Sequence, residues 1–202
     1  MMFYQTDQRD RALLPHDPFK AMVAPRPIGW ISTRSLSGAA NLAPYSFFNG
    51  VGSSPPLIAF SSEGAKDSAT FAEESREFVW NMATYPLREA MNASSASFSR
   101  GDSEFVHAGL EEAPCVLVKA PRVAASPCSL ECKVTDIFHL RDASGVATAS
   151  ILVVGQVVGV HIAERFIRDG QFDLAAAEPI MRCGYTADYA TLGPMFKMFR
   201  PA

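Results

Sequence analysis

The 202-residue chain has no apolar run approaching the twenty or so residues that a membrane-spanning helix needs. Its opening, MMFYQTDQRDR, carries polar and acidic residues where a secretory leader would carry a basic stretch and an apolar core, so the sequence reads as cytoplasmic. Cysteine is scarce, four in all, and in that compartment thiols are expected rather than a disulfide framework. Charge is sparse as well: 19% of residues, a formal net charge of -3, and scattered Lys and Arg. Nucleic-acid binding calls for a basic patch, so no nucleic-acid partner is expected. A Walker loop, a Ser nucleophile elbow and an H-E-x-x-H pair are all missing. Gly50-Val51-Gly52 begins like a dinucleotide fingerprint, but Pro55 stands where the third glycine belongs and no strand–helix–strand unit surrounds it.

The metal-ligating residues show no ligand spacing. Cys128 and Cys132 fall in an alternating, strand-like run, where four residues span about 13 Å and two sulfurs cannot share an ion. Cys115 and Cys183 are remote singles, so no metal site is expected. His139 and His161 lie in predicted strands, where a hydrogen-bonded structural histidine is the default. His107 follows an acidic segment, and a place at a pocket mouth stands beside the plain structural reading.

What is present is an ordinary globular composition, 48% hydrophobic, in a chain long enough for one full core. The sequence reads as a single domain over 1–202: a lead-in at 1–24, a barrel core at 25–163 and a helical or irregular tail at 164–202. Strands are predicted at 27–34, 40–49, 56–61, 77–82, 129–140 and 151–162, the last nearly all β-branched and so expected to be buried on both faces. Helices are predicted at 17–23, 66–75 and 85–93, with Asp67 or Ser68 capping the second. Mostly β with a few inserted helices implies a barrel with appended helices.

The stretch RPIGWISTRSLSGAANLAPYSFFNGVGSSPP, residues 26–56, carries the most information. Strand alternation, a Ser37-Gly38 turn and a second extended run end in a small-residue loop with aromatics at its shoulder. Hydroxyls, an amide and close backbone beside flat aromatic surface are what a planar, phosphorylated ligand requires. Downstream come KDS at 66–68, EFVWN at 77–81, EFVHAGL at 104–110, SLEC at 129–132 and VVGQVVGVHI at 153–162. Taken in this order, the pieces resemble the flavin reductase-like family of FMN-binding split-barrel proteins over about residues 25–162.

The resemblance implies a mainly β, six-stranded Greek-key split barrel with a few peripheral helices, a homodimer, and one FMN per subunit near the interface. It places Ser32 and Thr33 where family members approach the flavin, and NLAPYSFF along the ring, with Asn41, Ala43, Ser46 and Phe47 contributing. Ser61, Ser62, Lys66, Asp67 and Ser68 fall on the family's phosphate site. Physical chemistry agrees there: a helix N-terminus, a lysine and hydroxyls suit a phosphate, with Asp67 expected to turn inward as the cap. Asn81 either binds flavin or caps a turn, and Arg26, fixed between prolines, neutralises either the phosphate or a carboxylate of a partner subunit.

The implied activity is an FMN-dependent flavin oxidoreductase with NADH or NADPH as donor, FAD as a possible exchangeable substrate, and a small-molecule or protein acceptor. Hydride transfer to a flavin demands no acid–base side chain, so no catalytic residue is named beyond His107 at the pocket mouth. Related small reductases carry an arginine where Glu104 stands here, before Phe105, and an acidic side chain there repels a pyrophosphate. An FMN-holding electron-transfer protein reduced by a protein partner therefore stands as the alternative, and a split barrel that has lost its cofactor as a third.

Overall fold

The computed structural model describes residues 1–98 and 102–201. Seven strands form one antiparallel sheet: β1 Gly29–Arg34, β2 Ala40–Tyr45, β3 Phe48–Ser53, β4 Pro56–Glu63, β5 Glu77–Asn81, β6 Cys128–Arg141 and β7 Ala147–Ile162. Their order is β2-β1-β5-β6-β7-β4-β3. The edge strands β2 and β3 are consecutive in the chain and joined only by Ser46 and Phe47. The sheet must therefore curl until its edges meet, which makes the barrel. The expected fold class holds, with a main sheet of seven strands rather than six. The predicted strand 40–49 breaks at Ser46-Phe47 to turn the corner, and each half pairs with a different neighbour.

The barrel interior is filled by Ile31, Ile58, Phe60, Phe78 and Val153, with Phe60 and Phe78 edge to face at 5.3 Å. A second cluster on the outer side of β1 joins Ile28, Trp30 and Leu42 to Met91, Phe105 and Ile180. The expectation that 151–162 is buried on both faces is not met. Only Ile151, Val153 and Gly155 of β7 are fully buried, at alternate positions. Beyond Gln156 the strand outruns β4 and pairs with β6 alone, so Val160 stands 60% exposed.

Among the described residues, four helices after β1 lie outside the sheet: α1 Asp67–Ser75, α2 Arg88–Ala93, α3 Glu104–His107 and α4 Leu174–Ala177. A single helical turn, Phe19–Met22, precedes β1. The tail holds the short helix α4 as expected, but strand pairs where irregular chain was expected: Ile167–Arg168 with Gln171–Phe172, and Ile180–Arg182 with Tyr189–Thr191. No helix among the described residues is long and apolar enough to cross a membrane.

Buried polar side chains stitch the loop between residues 114 and 123 to the outside of the sheet. Asn81 donates to the Trp30 carbonyl and Ser32 Oγ, and accepts from Val123 N (2.8 Å) and Ser129 Oγ (2.9 Å). Glu131, 1% exposed, accepts from the backbone N–H of Val116, Leu117 and Val118 and lies 2.6 Å from His161 Nε2. Burial alone would raise its carboxyl, but these hydrogen bonds outweigh it and hold the group below the usual carboxylate range. Gly159 leaves the room this carboxylate occupies: a Cβ there would lie 3.3 Å from Glu131 Cδ. All four cysteines are free thiols, with Cys128 pushed up to about 11 and Cys115 to about 12, chiefly by burial. Cys115, Glu131 and His161 bring ligand atoms within 4.8 Å of one another. The carboxylate's four hydrogen bonds already occupy its lone pairs.

Candidate functional site

A cleft of about 310 Å³ opens where the start of α1 meets β2 and the turn after α2. Five predicted site residues wall it: Asn41 and Ala43 from β2, and Lys66, Asp67 and Ser68 from the start of α1. The chain brings these two distant segments together because α1 packs Ala69 and Ala72 into the barrel core, which fixes its first turn beside β2. The N–H groups of that turn point out of the helix start, and with the Lys66 ammonium they make the corner electropositive. Asp67 is not the cap. Lys66 holds the cap position in an extended conformation (ψ 164°), and its own side chain makes no cap hydrogen bond.

The cleft wall is braced by a buried hydrogen-bond network. The Asn41 amide lies 2.7 Å from Ser68 Oγ, and with its oxygen accepting there its nitrogen donates to Glu104 Oε1 at 3.3 Å. Glu104 Oε2 accepts from Leu42 N at 3.0 Å. Burial raises the Glu104 carboxyl above the ordinary range, the Leu42 N–H opposes this, and the Asp67 charge adds to it. The Tyr45 phenol is likewise pushed up by burial, against hydrogen bonds to Ser68 and Ser62. Glu104 is thus folded onto β2, with its carboxylate bound to the strand backbone.

The remaining predicted residues fall into separate groups. Ser46 and Phe47 form the corner between the edge strands, and Phe47 O accepts from Ser61 N at 2.9 Å. Ser62 is fully buried and donates to Gly64 O at 2.8 Å. Thr33 is buried opposite Asn41 in the β1–β2 register. Ser32 and Asn81 are fully buried and spend their polar atoms on the sheet and the loop: Ser32 donates to Pro121 O, and all of the Asn81 partners lie within the chain. His107 stacks on Phe98, which lines the cleft, with ring centroids 4.1 Å apart. Arg26, 6% exposed, donates to the carbonyls of Lys20 and Val23 and sits over the Phe47 ring, 5.7 Å from its centroid.

Glu104, singled out in the sequence only for its effect on a pyrophosphate, completes the cleft wall together with Tyr45 and the serines Ser94, Ser95 and Ser97, which sequence reasoning missed. The serines read as an irregular polar stretch; their signal was a density of hydroxyls directly after a helix. Tyr45 was hidden inside a strand pattern, where an aromatic reads as core.

A family model described as "Flavin reductase like domain" matches residues 22–173. An uncharacterized protein of Halalkalibacterium halodurans is 36% identical over 184 residues, which cover 89% of this chain and 87% of that protein. Among solved structures, nitrilotriacetate monooxygenase component B from Bacillus cereus superposes with a TM-score of 0.89 at 26% identity, covering 98% of each chain. A split-barrel protein from Shewanella frigidimarina shares the fold, with a TM-score of 0.81 at 21% identity over 91% of this chain and 90% of that one.

Proposed function

The chain belongs to the flavin reductase-like family, and from that premise we propose that it is an FMN-binding oxidoreductase taking hydride from NADH or NADPH and passing electrons to an acceptor. The observation that carries the proposal is the meeting of Asn41, Ala43, Lys66, Asp67 and Ser68 in one cleft at the N-terminus of α1. The donor set there fits the phosphate and polyol end of FMN: a helix N-terminus, an ammonium and several hydroxyls. Lys66 and the first-turn N–H groups would hold the phosphate, and Ser68, Ser95 and Ser97 would offer hydroxyls along it. Ser46 and Phe47, at the corner between the edge strands, would border the ring. Flavin, when bound, supplies the hydride-accepting and electron-donating chemistry. The chain's own part is to bind, to orient and to set the local charge.

Glu104 favours a second reading. With Asp67 it sets two carboxylates in the cleft against one lysine, a poor receptor for a dinucleotide pyrophosphate. On that reading the protein holds FMN and is reduced by a partner protein. Anaerobic titration of the flavin-loaded protein with NADH and NADPH separates the two. Rapid bleaching of the flavin by either nucleotide is expected. Bleaching by dithionite alone would turn the reading to the carrier, and a preparation that neither contains nor takes up FMN would sink both.

A further inference from the structure

A second cleft shares α2 with the first. Met91 and Asn92 wall it, whereas Ser94 and Ser95, just past the end of the helix, wall the candidate flavin site. It measures about 700 Å³, within the range of small-molecule pockets. Its opposite wall is the strand pair Ile180–Arg182 and Tyr189–Thr191. That wall lies beyond residue 173, where the family match ends.

Two arginines frame this space, each within stacking distance of a tyrosine. The Arg88 guanidinium carbon lies 4.1 Å from the Tyr85 ring centroid, and that of Arg182 lies 4.6 Å from Tyr189. Arg182 is held in place by the carbonyls of Tyr185 and Thr186, at 3.1–3.2 Å. Arg88 donates Nη1 to Tyr85 O at 2.8 Å, and its Nε is 3.4 Å from Glu89 Oε1. Its Nη2 group makes no hydrogen bond among the described residues. Met91 and Ile180, both nearly fully buried, form the apolar floor of the cleft, and the exposed tyrosines offer flat faces above it. One carboxylate, Glu89, stands against two guanidinium groups, so the lining is net positive.

We propose that this cleft is a second small-molecule site, taking a flat ring that carries an anionic group. The apolar lining and tyrosine faces receive the ring, and the Nη2 group of Arg88 receives the carboxylate or phosphate. An aromatic carboxylate and a nucleotide share this chemistry. The site stands apart from the flavin reading, since none of its lining residues belongs to the first cleft.

Calorimetric titration of the purified protein with benzoate and with AMP tests the proposal, with FMN binding measured in parallel on the same samples. Binding of benzoate assigns the site to aromatic acids, and binding of AMP to nucleotides. Arg88→Gln lies on an exposed helical surface and should weaken the bound probe about tenfold, the loss of one charge-assisted hydrogen bond. Tyr189→Leu provides a second variant without a change of charge, and weakened binding in either variant sustains the proposal. Neither probe binding at millimolar concentration, or both variants retaining wild-type affinity, overturns it. Because FMN uptake reports on the other cleft, a failure here is distinct from a failure of the proposed function.

Discussion

Glu104 has the largest single-residue consequence for the candidate site. Its carboxylate is held by Leu42 N–H and lies against the Asn41 amide, in the same cleft as Asp67 and Lys66. The folded chain holds its carboxyl above the ordinary value of 4.5, so folding favours the protonated form. Its contribution to the stability of the flavin-free protein is therefore present at low pH and falls as pH rises through the raised value. Ionised, it also repels a phosphate in the cleft. Glu104→Gln should bind FMN more tightly at pH 8, by about 1 kcal/mol or roughly fivefold for one like charge at cleft distance. The difference between the variant and the wild type should vanish as the pH is lowered and Glu104 becomes neutral. Fluorescence titration with FMN across pH measures both, and equal affinities at pH 8 would remove Glu104 from the electrostatics of the site. The repulsion was legible from the residue type, but the folding of Glu104 onto β2 was not. Asp67 was expected to cap α1 because of its side chain, but the backbone gives that position to Lys66, and the acid that folds inward is Glu104, dozens of residues away.

Among the elements, β7 shows most clearly what alternation can and cannot tell. Its β-branched run identified the strand, but the run could not say how far the neighbouring strand β4 extends, and that length decides which half is covered. The corner at Ser46-Phe47 was invisible for a similar reason: the extended pattern continues through it, and only closure of the sheet demands the break. The resemblance gave Asn41 and Ala43 to the ring and 66–68 to the phosphate of one ligand; that Asn41 and Ala43 wall the same cleft as the helix start was seen only in the fold. The serines after α2 were not legible either, because nothing local ties them to that helix start. Gly155 is a position where β7 itself can be tested. A Cβ there would lie 2.7 Å from Phe78 Cζ, and closer still to Cε1, in the barrel interior. Gly155→Ala should thus force the Phe78 ring aside and destabilise the fold by about 1–3 kcal/mol, the usual range for overpacking. A denaturant melt measures this. The double variant with Phe78→Leu should recover part of the loss, and an unchanged midpoint in the single variant would mean that the ring and strand are not in this contact.

The whole molecule leaves more apolar surface uncovered than a lone barrel needs. Phe138 and Val146 stand exposed towards the turn that joins β6 and β7, and Val160, Ile162 and Ile167 do so at the other end of β7. The tail adds Met195, Phe196, Met198 and Phe199, all exposed. Exposed apolar side chains at both ends of one strand are candidates for surfaces that another molecule covers. The homodimer implied by the family resemblance is the covering we propose, with β7 contributing to it. Light scattering over a range of concentrations should give twice the chain mass of 21.9 kDa. Val160→Lys places a charge on the outrunning half of β7, where nothing in the core depends on it, and should raise the dimer dissociation constant roughly tenfold while leaving circular dichroism unchanged. If flavin sits near that interface, FMN affinity should weaken in step with dissociation, since the monomer would lack part of its site. A particle of 21.9 kDa at every concentration would refute the dimer. A dimer indifferent to Val160→Lys would move the interface away from β7, and the exposed tail would become the surface to test.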